Sequence, residues 1–350
     1  MNRGFWDKLP SPIIGISPMD GVTDAPFRLI AARHGKPNIT ITEFTSVEGI
    51  CHGAVKSLTA FKYDESERPL VAQVFGTDVE SFYKSAFVVA ELGFDGIDIN
   101  MGCPATSVSS RGAGAGLIRT PDLAKQIIRT TKLAMKDWQE GKTIEEVGLP
   151  KEIVAWVKEN QPKNIDRKFL PVSVKTRIGY DQIIVEEWIK HVLEEEPANI
   201  SIHGRTLKQG YTGSANWDAI GRAVKIIKQT KTSVLGNGDV HSLTDAFEKI
   251  KIYGVDGVLI GRASFGNPWL LQNKIPTIEE KFAVAIEHSE LYEQILGLDY
   301  FVPMRKHLAW YIRGFDNASE LRQKLMQAKS SQDVKDILST RNPKDLIPTV

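Results

Sequence analysis

The chain has 350 residues and carries 44 Lys and Arg against 43 Asp and Glu, a formal net charge of +1. With 25% charged and 42% hydrophobic residues it has the balance of a soluble globular protein, and near-neutrality argues against coating nucleic acid by bulk charge while leaving room for a local basic face. The two cysteines, Cys51 and Cys103, exclude a disulfide framework, a four-cysteine zinc site and a cysteine-ligated iron–sulfur cluster. The N-terminal stretch lacks the apolar core of a signal peptide, and no apolar run approaches the length that spans a bilayer. The expectation is a cytoplasmic protein with no membrane contact and no metal.

Short β-rich runs recur along the chain at 13–17, 39–43, 70–75, 96–100, 171–176, 199–203, 233–236 and 257–260. Several are apolar and β-branched nearly throughout, as strands covered on both faces are. Between them lie segments of helical spacing, including 79–92, 121–135, 185–193, 217–229 and 243–252. Eight β/α units predict an α/β protein with a (β/α)8 TIM barrel over residues 1–276. No GxGxxG turn follows the first run, which counts against a dinucleotide-binding sheet. The connection 137–169 is long, polar and rich in Lys and Glu, with one short amphipathic piece at 152–158. It reads as a solvated surface insertion without a catalytic part.

Beyond Pro276 the β-rich runs stop, and 278–350 reads as an all-helical domain. Helices are predicted at 278–296, 302–312, 318–328 and 331–338, with Asn317 or Ser319 and then Ser331 as N-caps. Residues 301–350 hold nine Lys and Arg against five Asp and Glu, so the basic excess sits at this end.

A barrel of this kind places its site at the C-terminal ends of the strands. Those ends carry Ser17-Pro18-Met19-Asp20-Gly21, Gln73-Val74-Phe75-Gly76, Asn100-Met101-Gly102-Cys103-Pro104, Lys175-Thr176-Arg177, His203-Gly204-Arg205, Asn237-Gly238-Asp239 and Gly261-Arg262. Only the second strand lacks such a group. The glycines after strands seven and eight let backbone approach an anion, and Arg262 adds a bidentate donor, so a phosphate site is expected there. Lys175 ends an apolar strand, where an amine needs a negative partner such as the N1 side of reduced flavin. A charge pair at about 4 Å gains roughly 4 kcal/mol at an effective dielectric near 20, before desolvation. Gln73 fits a pyrimidine-like ring edge or a satisfied core amide, and Pro18 and Met19 fit an apolar wall under such a ring. His203 fits a core histidine equally well. Cys103 sits between glycine and proline on an open loop, where it reads as proton donor, nucleophile or inert thiol. Cys51 has no such setting.

The stretches SPMDGVTDAPFR (17–28), QVFG (73–76), DGIDINMGCPA (95–105), VKTRIGYD (174–181), HGRTLKQGYTGSANWDAI (203–220), GNGD (236–239), GVDGVLIGRASFGNPWL (254–270) and MRKHLAWYIRGFDNASELR (304–322) resemble the tRNA-dihydrouridine synthases. The resemblance is closest to their bacterial B-type branch, and it covers nearly the whole chain outside 137–169. It implies an FMN-dependent oxidoreductase that reduces the C5=C6 bond of chosen tRNA uridines with NADPH. By motif it puts FMN contacts on Pro18, Met19, Asp20, Gln73, Lys175, His203, Asn237, Gly238, Asp239, Gly261 and Arg262. It puts the catalytic proton donor on Cys103, and substrate contacts on Asn100 and Arg177; Arg111, in a run that departs from the family, is a basic residue near the Cys103 loop and is expected to touch RNA. The implied partner is tRNA, gripped near its D-loop by the basic tail with Trp310, Tyr311 and Phe315; for Trp310 a place in a helical core stripe is the favoured reading. A monomer without an obligate protein partner is expected.

Three features depart from the family pattern. Asp20 stands where many members carry Ala, SSRGAGAG (109–116) replaces the commoner B-type run, and the insertion is unusual. A dihydroorotate-type flavin barrel shares the lysine and phosphate logic but needs no basic tail. An RNA-binding barrel that has lost its flavin would have no use for Lys175 and Cys103 together.

Overall fold

A computed structural model describes residues 2–210, 212–343 and 346–347. Met1 and part of the C-terminal end of the two expected domains fall outside the described residues. Eight strands form one parallel sheet: β1 (Ile13–Ile16), β2 (Thr40–Ser46), β3 (Leu70–Phe75), β4 (Gly96–Met101), β5 (Val172–Arg177), β6 (Asn199–His203), β7 (Ser233–Asn237) and β8 (Gly257–Ile260). The order is β1-β8-β7-β6-β5-β4-β3-β2, so the first strand pairs with the last. Ile14 O accepts from Asn38 N at 2.9 Å, and Ile14 N donates to Asn38 Oδ1 at 2.8 Å, which ties β1 to the segment entering β2. Ile13, Ile41, Val71, Leu235 and Leu259, from five strands, share one apolar cluster with Trp6 from a short 3-10 turn. Side chains from strands this far apart in the order meet only if the sheet curls. The runs expected from sequence all appear, with ends shifted by up to three residues.

The α-helices are α1 (Ala25–His34), α2 (Val47–Cys51), α3 (Val79–Glu91), α4 (Thr106–Ser109), α5 (Pro121–Gln139), α6 (Lys151–Asn160), α7 (Val185–Leu193), α8 (Trp217–Ile227), α9 (Leu243–Tyr253), α10 (Ile278–Leu296), α11 (Met304–Tyr311), α12 (Ala318–Leu325) and α13 (Ser331–Ser339). Side-chain caps start several of them. Asp24, Asp78, Asn216 and Ser242 each accept a backbone N–H from the first turn of the helix that follows. The apolar faces of α3, α5, α7 and α8 join the helix-facing residues of β3–β7 in the main core cluster.

The connection 137–169 corrects its expectation. It is built in rather than solvated: Ile144, Val147, Leu149, Ile153 and Val157 are buried in that same core cluster. Arg167 donates to Lys142 O at 2.8 Å and Trp138 Nε1 donates to Glu91 at 2.9 Å, closing the segment onto α3 and α5. Its five apolar contributors lie among Lys and Glu at uneven spacing, so composition hides them.

The tail is helical and has its own apolar cluster, which also takes in Leu29 and Ile30 of α1 and Trp269. Arg33 and His34 pair with Glu287 at 2.7 and 2.8 Å, and Lys62 Nζ donates to Ile295 O at 2.9 Å. Two expected caps are corrected. Ser330, not Ser331, accepts from Asp333 N, while Ser331 turns to Glu293. Asn317 precedes α12 with φ 57° and makes no side-chain cap; its amide donates to Asp316 at 3.1 Å. The aromatics divide against expectation as well. Tyr311 and Phe315 are buried in the tail cluster, whereas Trp310 is half-exposed and stacks on Phe265 with centroids 4.1 Å apart.

Candidate active site

The C-terminal strand ends converge on one cavity of about 780 Å³. The turn after β1 supplies Pro18, Met19 and Asp20. Its shape is set from within: Met19 N donates to Thr23 Oγ1 at 2.9 Å, and Arg28 donates to Thr23 O at 3.0 Å. Arg28 is itself buried against Glu67 at 2.8 Å, so a fully paired cation anchors the turn. Asp20 is the exposed member; burial of its surroundings raises its pKa, with Lys306 opposing.

The β4 side carries the thiol. Asn100 Oδ1 accepts from Gly102 N at 3.0 Å and from Cys103 N at 2.8 Å, which folds the loop back over the strand end. Asn100 Nδ2 donates to Gln73 Oε1 at 2.8 Å, and Gln73 Nε2 donates to Asp98 Oδ2 at 2.7 Å. Ser173 closes the row on Asp98 Oδ1 at 2.7 Å. Arg177 Nε donates to Gly102 O at 2.6 Å and Thr176 Oγ1 to Met101 O at 3.1 Å. Neighbouring strands thus fix the loop from two sides. Cys103 is 9% exposed and lines the cavity. Burial pushes its thiol pKa up, so the neutral form persists at neutral pH.

Lys175 and Arg177 enter from β5. Burial, and then the charge of Arg177, lower Lys175 to about 8. Among the described residues Lys175 makes no salt bridge, though the Asp98 carboxylate favours its charged form, and it lines the cavity. His203 on β6 is held well below its ordinary pKa by burial and then by Arg177, and is neutral.

The β7–β8 side is built from backbone. Asn237 Nδ2 donates to Leu259 O at 2.7 Å, and Gly204 N donates to Asn237 O at 3.0 Å. Gly238 has φ 115°, and a Cβ there would sit 2.8 Å from the Ala215 Cβ and 3.4 Å from His203 Nε2. Only glycine leaves that floor open. Asp239 binds Arg205 at 2.6 Å, Arg262 at 2.7 Å and Ala215 N at 2.8 Å. Against the raising effect of burial, the Ala215 amide and Arg205 keep its pKa low. Its carboxylate therefore orients two guanidinium groups. Gly261 and Arg262 complete the rim.

Two sequence candidates stand apart from the cavity wall. Gln73 is 0% exposed with both ends of its amide bonded, and Arg111 is exposed on the loop beyond Cys103. The structure adds residues that sequence reasoning passed over. Phe44 makes an apolar wall from β2, the one strand whose end looked featureless. Arg205 and Asp98 sit inside motifs already noted, HGR and DIN, and only their buried partners reveal them. Phe265 brings the Trp310 stack to the cavity edge.

The cavity combines charged, backbone and apolar surfaces. It has an open glycine floor at one end, an unpaired lysine at the other, and Pro18, Met19 and Phe44 as apolar surface.

The family model for dihydrouridine synthase (Dus) matches residues 15–142 and 146–345. It runs through most of 137–169, so that connection belongs to the family pattern rather than interrupting it. The chain is 34% identical over 348 residues to a probable tRNA-dihydrouridine synthase of Staphylococcus aureus (strain MRSA252), covering 97% of this chain and 95% of that one. It is 33% identical over 347 residues to probable tRNA-dihydrouridine synthase 2 of Bacillus subtilis (strain 168), covering 97% and 96%. Among solved structures, TcOYE with pHBA superposes with a TM-score of 0.47 at 12% identity, over 76% of this chain and 88% of that one.

Proposed function

The chain belongs to the dihydrouridine synthase family, and we propose that it is an FMN-dependent tRNA-dihydrouridine synthase using NADPH as reductant. The observation that carries this reading is the pairing of a buried neutral thiol, Cys103, with an unpaired cation, Lys175, across one cavity. FMN, when bound, supplies the hydride that adds at uracil C6. Every other part falls to this chain's residues.

Lys175 would hold the polar N1 side of the flavin ring, and the neutral His203 would offer it a donor or acceptor. Pro18 and Met19 would give the ring an apolar surface, and Asp20 would contact it from the same turn. Gln73 reaches the ring edge once its amide exchanges Asn100 or Asp98 for the ligand. Asn237, Gly238 and Gly261 line the phosphate end, where Arg262 binds the phosphate and Asp239 orients Arg262. Cys103 then donates its proton to C5 of the uracil, and a thiol pKa raised by burial keeps that proton in place until the base arrives. Asn100 acts by holding the Cys103 loop. Arg177 pins Gly102 and keeps a positive charge near the developing enolate oxygen.

The uridine must leave its stack to enter such a cavity, as in enzymes that flip a base. The division of labour follows: a closed (β/α)8 barrel over 1–276 does the chemistry, and a helical domain over 278–350 grips the D-loop region of tRNA, with Arg111 touching RNA from the barrel side. The half-exposed Trp310 is the aromatic placed to meet RNA; Tyr311 and Phe315 are not. Because the basic excess is local, binding weakens steeply with salt. The enzyme works as a monomer in the cytoplasm. Incubation with tRNA lacking dihydrouridine, plus NADPH, followed by position-by-position mapping tests the reading. New dihydrouridine at a D-loop position is expected, and tRNA left unmodified by the FMN-loaded protein would refute it.

A further inference from the structure

Away from the cavity, three titratable side chains meet where the tail packs on the barrel. Asp24 comes from the start of α1, His288 from α10 and His307 from α11, and all three are buried. One ligating atom from each lies within 4.8 Å of the other two. His307 Nε2 is 3.8 Å from Asp24 Oδ2, too far for a hydrogen bond. Neither His288 Nε2 nor His307 Nε2 has a partner among the described residues, a state that folded proteins seldom leave unexplained.

Neighbours engage the other polar atom of two of these side chains. His288 Nδ1 lies 3.0 Å from the Tyr311 hydroxyl; as donor in that bond it leaves the Nε2 lone pair free. Asp24 Oδ1 is engaged by Phe27 N at 3.0 Å, which leaves Oδ2. The charged groups facing the cluster are Glu43, Arg28, which is paired with Glu67, and Lys306, whose amine donates to Gly21 O.

We propose that Asp24, His288 and His307 bind one divalent cation that joins the tail to the barrel. Two imidazole nitrogens and one carboxylate suit zinc, whereas calcium and magnesium prefer all-oxygen sets. Three atoms spaced this way share a centre within about 2.8 Å of each, and contraction to the usual zinc distances of about 2.0–2.2 Å takes small side-chain shifts. The metal would fix the start of α1, and with it the end of the 17–24 turn, against α10 and α11. This site goes beyond the proposed reaction and does not depend on it.

The test uses the full-length chain without a histidine tag, produced with added zinc and purified without chelator. Elemental analysis is expected to find about one zinc per chain, and X-ray absorption at the zinc edge to find imidazole and oxygen ligands. His288→Gln and His307→Gln should each lower the content to about a tenth or less, by removing one of three protein ligands. Chelation of the unaltered chain should lower Tm, and added zinc should restore it. An unaltered chain that holds no metal, and whose Tm does not answer to zinc, would overturn the proposal in favour of a bridging water. Full zinc content in both variants would also overturn it. Should a variant fail to fold, the stoichiometry, edge spectrum and Tm response of the unaltered chain decide alone.

Discussion

The two ends of the cavity are built from different materials. On the β4–β5 side the working parts are side chains: Cys103, Lys175 and Arg177, each enclosed and each shifted from or held against its solution behaviour. On the β7–β8 side they are backbone, with Gly238 and Gly261 as the floor and the exposed Arg262 steered by Asp239. The first end stores electrostatic free energy by desolvating charge and a thiol, so it is suited to events that change charge. The second stores conformational restriction, so it is suited to holding a group whose charge does not change. A reacting ring and a spectator phosphate call for that division.

The sharpest way to break the comparison is at the thiol. Cys103→Ala is expected to lower single-turnover dihydrouridine formation by about 10²–10⁴-fold, the usual range for a positioned acid. Flavin content, read from visible absorbance, should stay unchanged, because the other cavity groups remain. Loss of flavin in this variant would mean that the β4 loop binds rather than reacts. Next comes Lys175→Met, which removes the unpaired cation. Retention of reduced flavin should fall by about 10–100-fold, as expected when a charged hydrogen bond of about 1.5–3 kcal/mol is lost. Equal retention would show that Lys175 faces some other anion.

Gly238→Ala tests the backbone end. At φ 115° with the Ala215 Cβ 2.8 Å from the added methyl, the loop must shift. The strain is about 1–3 kcal/mol, so flavin affinity should fall about tenfold while the pH profile keeps its shape. A changed profile would show that the two ends are coupled.

How far the sequence foretold these two ends follows from the same physics. Parallel strands covered on both faces leave dense apolar runs, and the glycines and charges at their ends stand out against that background; hence the strands, Lys175, Cys103 and the NGD turn were visible. Hydrogen-bond partners have no sequence signature. The row Cys103–Asn100–Gln73–Asp98–Ser173 joins three strands, and sequence left Gln73 open between a ring-edge contact and a satisfied core amide because its partners lie about 25 residues away or more. Phe44 was invisible because an apolar residue on an apolar strand carries no contrast. In the tail, helical spacing marked Trp310, Tyr311 and Phe315 alike, and only packing decided that Trp310 turns outward onto Phe265. The connection 137–169 misled because its five buried apolar residues are interleaved with Lys and Glu at uneven spacing.

The smallest effect separates the two chemical groups of the β4–β5 end from each other. Lys175 is charged below its own pKa, about 8 in the unliganded cavity. An anion placed against it raises that value, so binding takes up a proton at pH above about 8, and affinity falls as pH rises through that window. Retention of reduced flavin should therefore drop by no more than about tenfold between pH 7 and 9. Cys103 moves the other way in consequence: its pKa is raised, so the thiol keeps its proton beyond the ordinary thiol range, and the single-turnover rate should break at a higher pH than binding does. In Lys175→Met the binding break should vanish while the rate break stays. In Cys103→Ala the binding break should persist unchanged. If one substitution removes both breaks, lysine and thiol titrate as a single unit and the separate roles assigned to them are wrong.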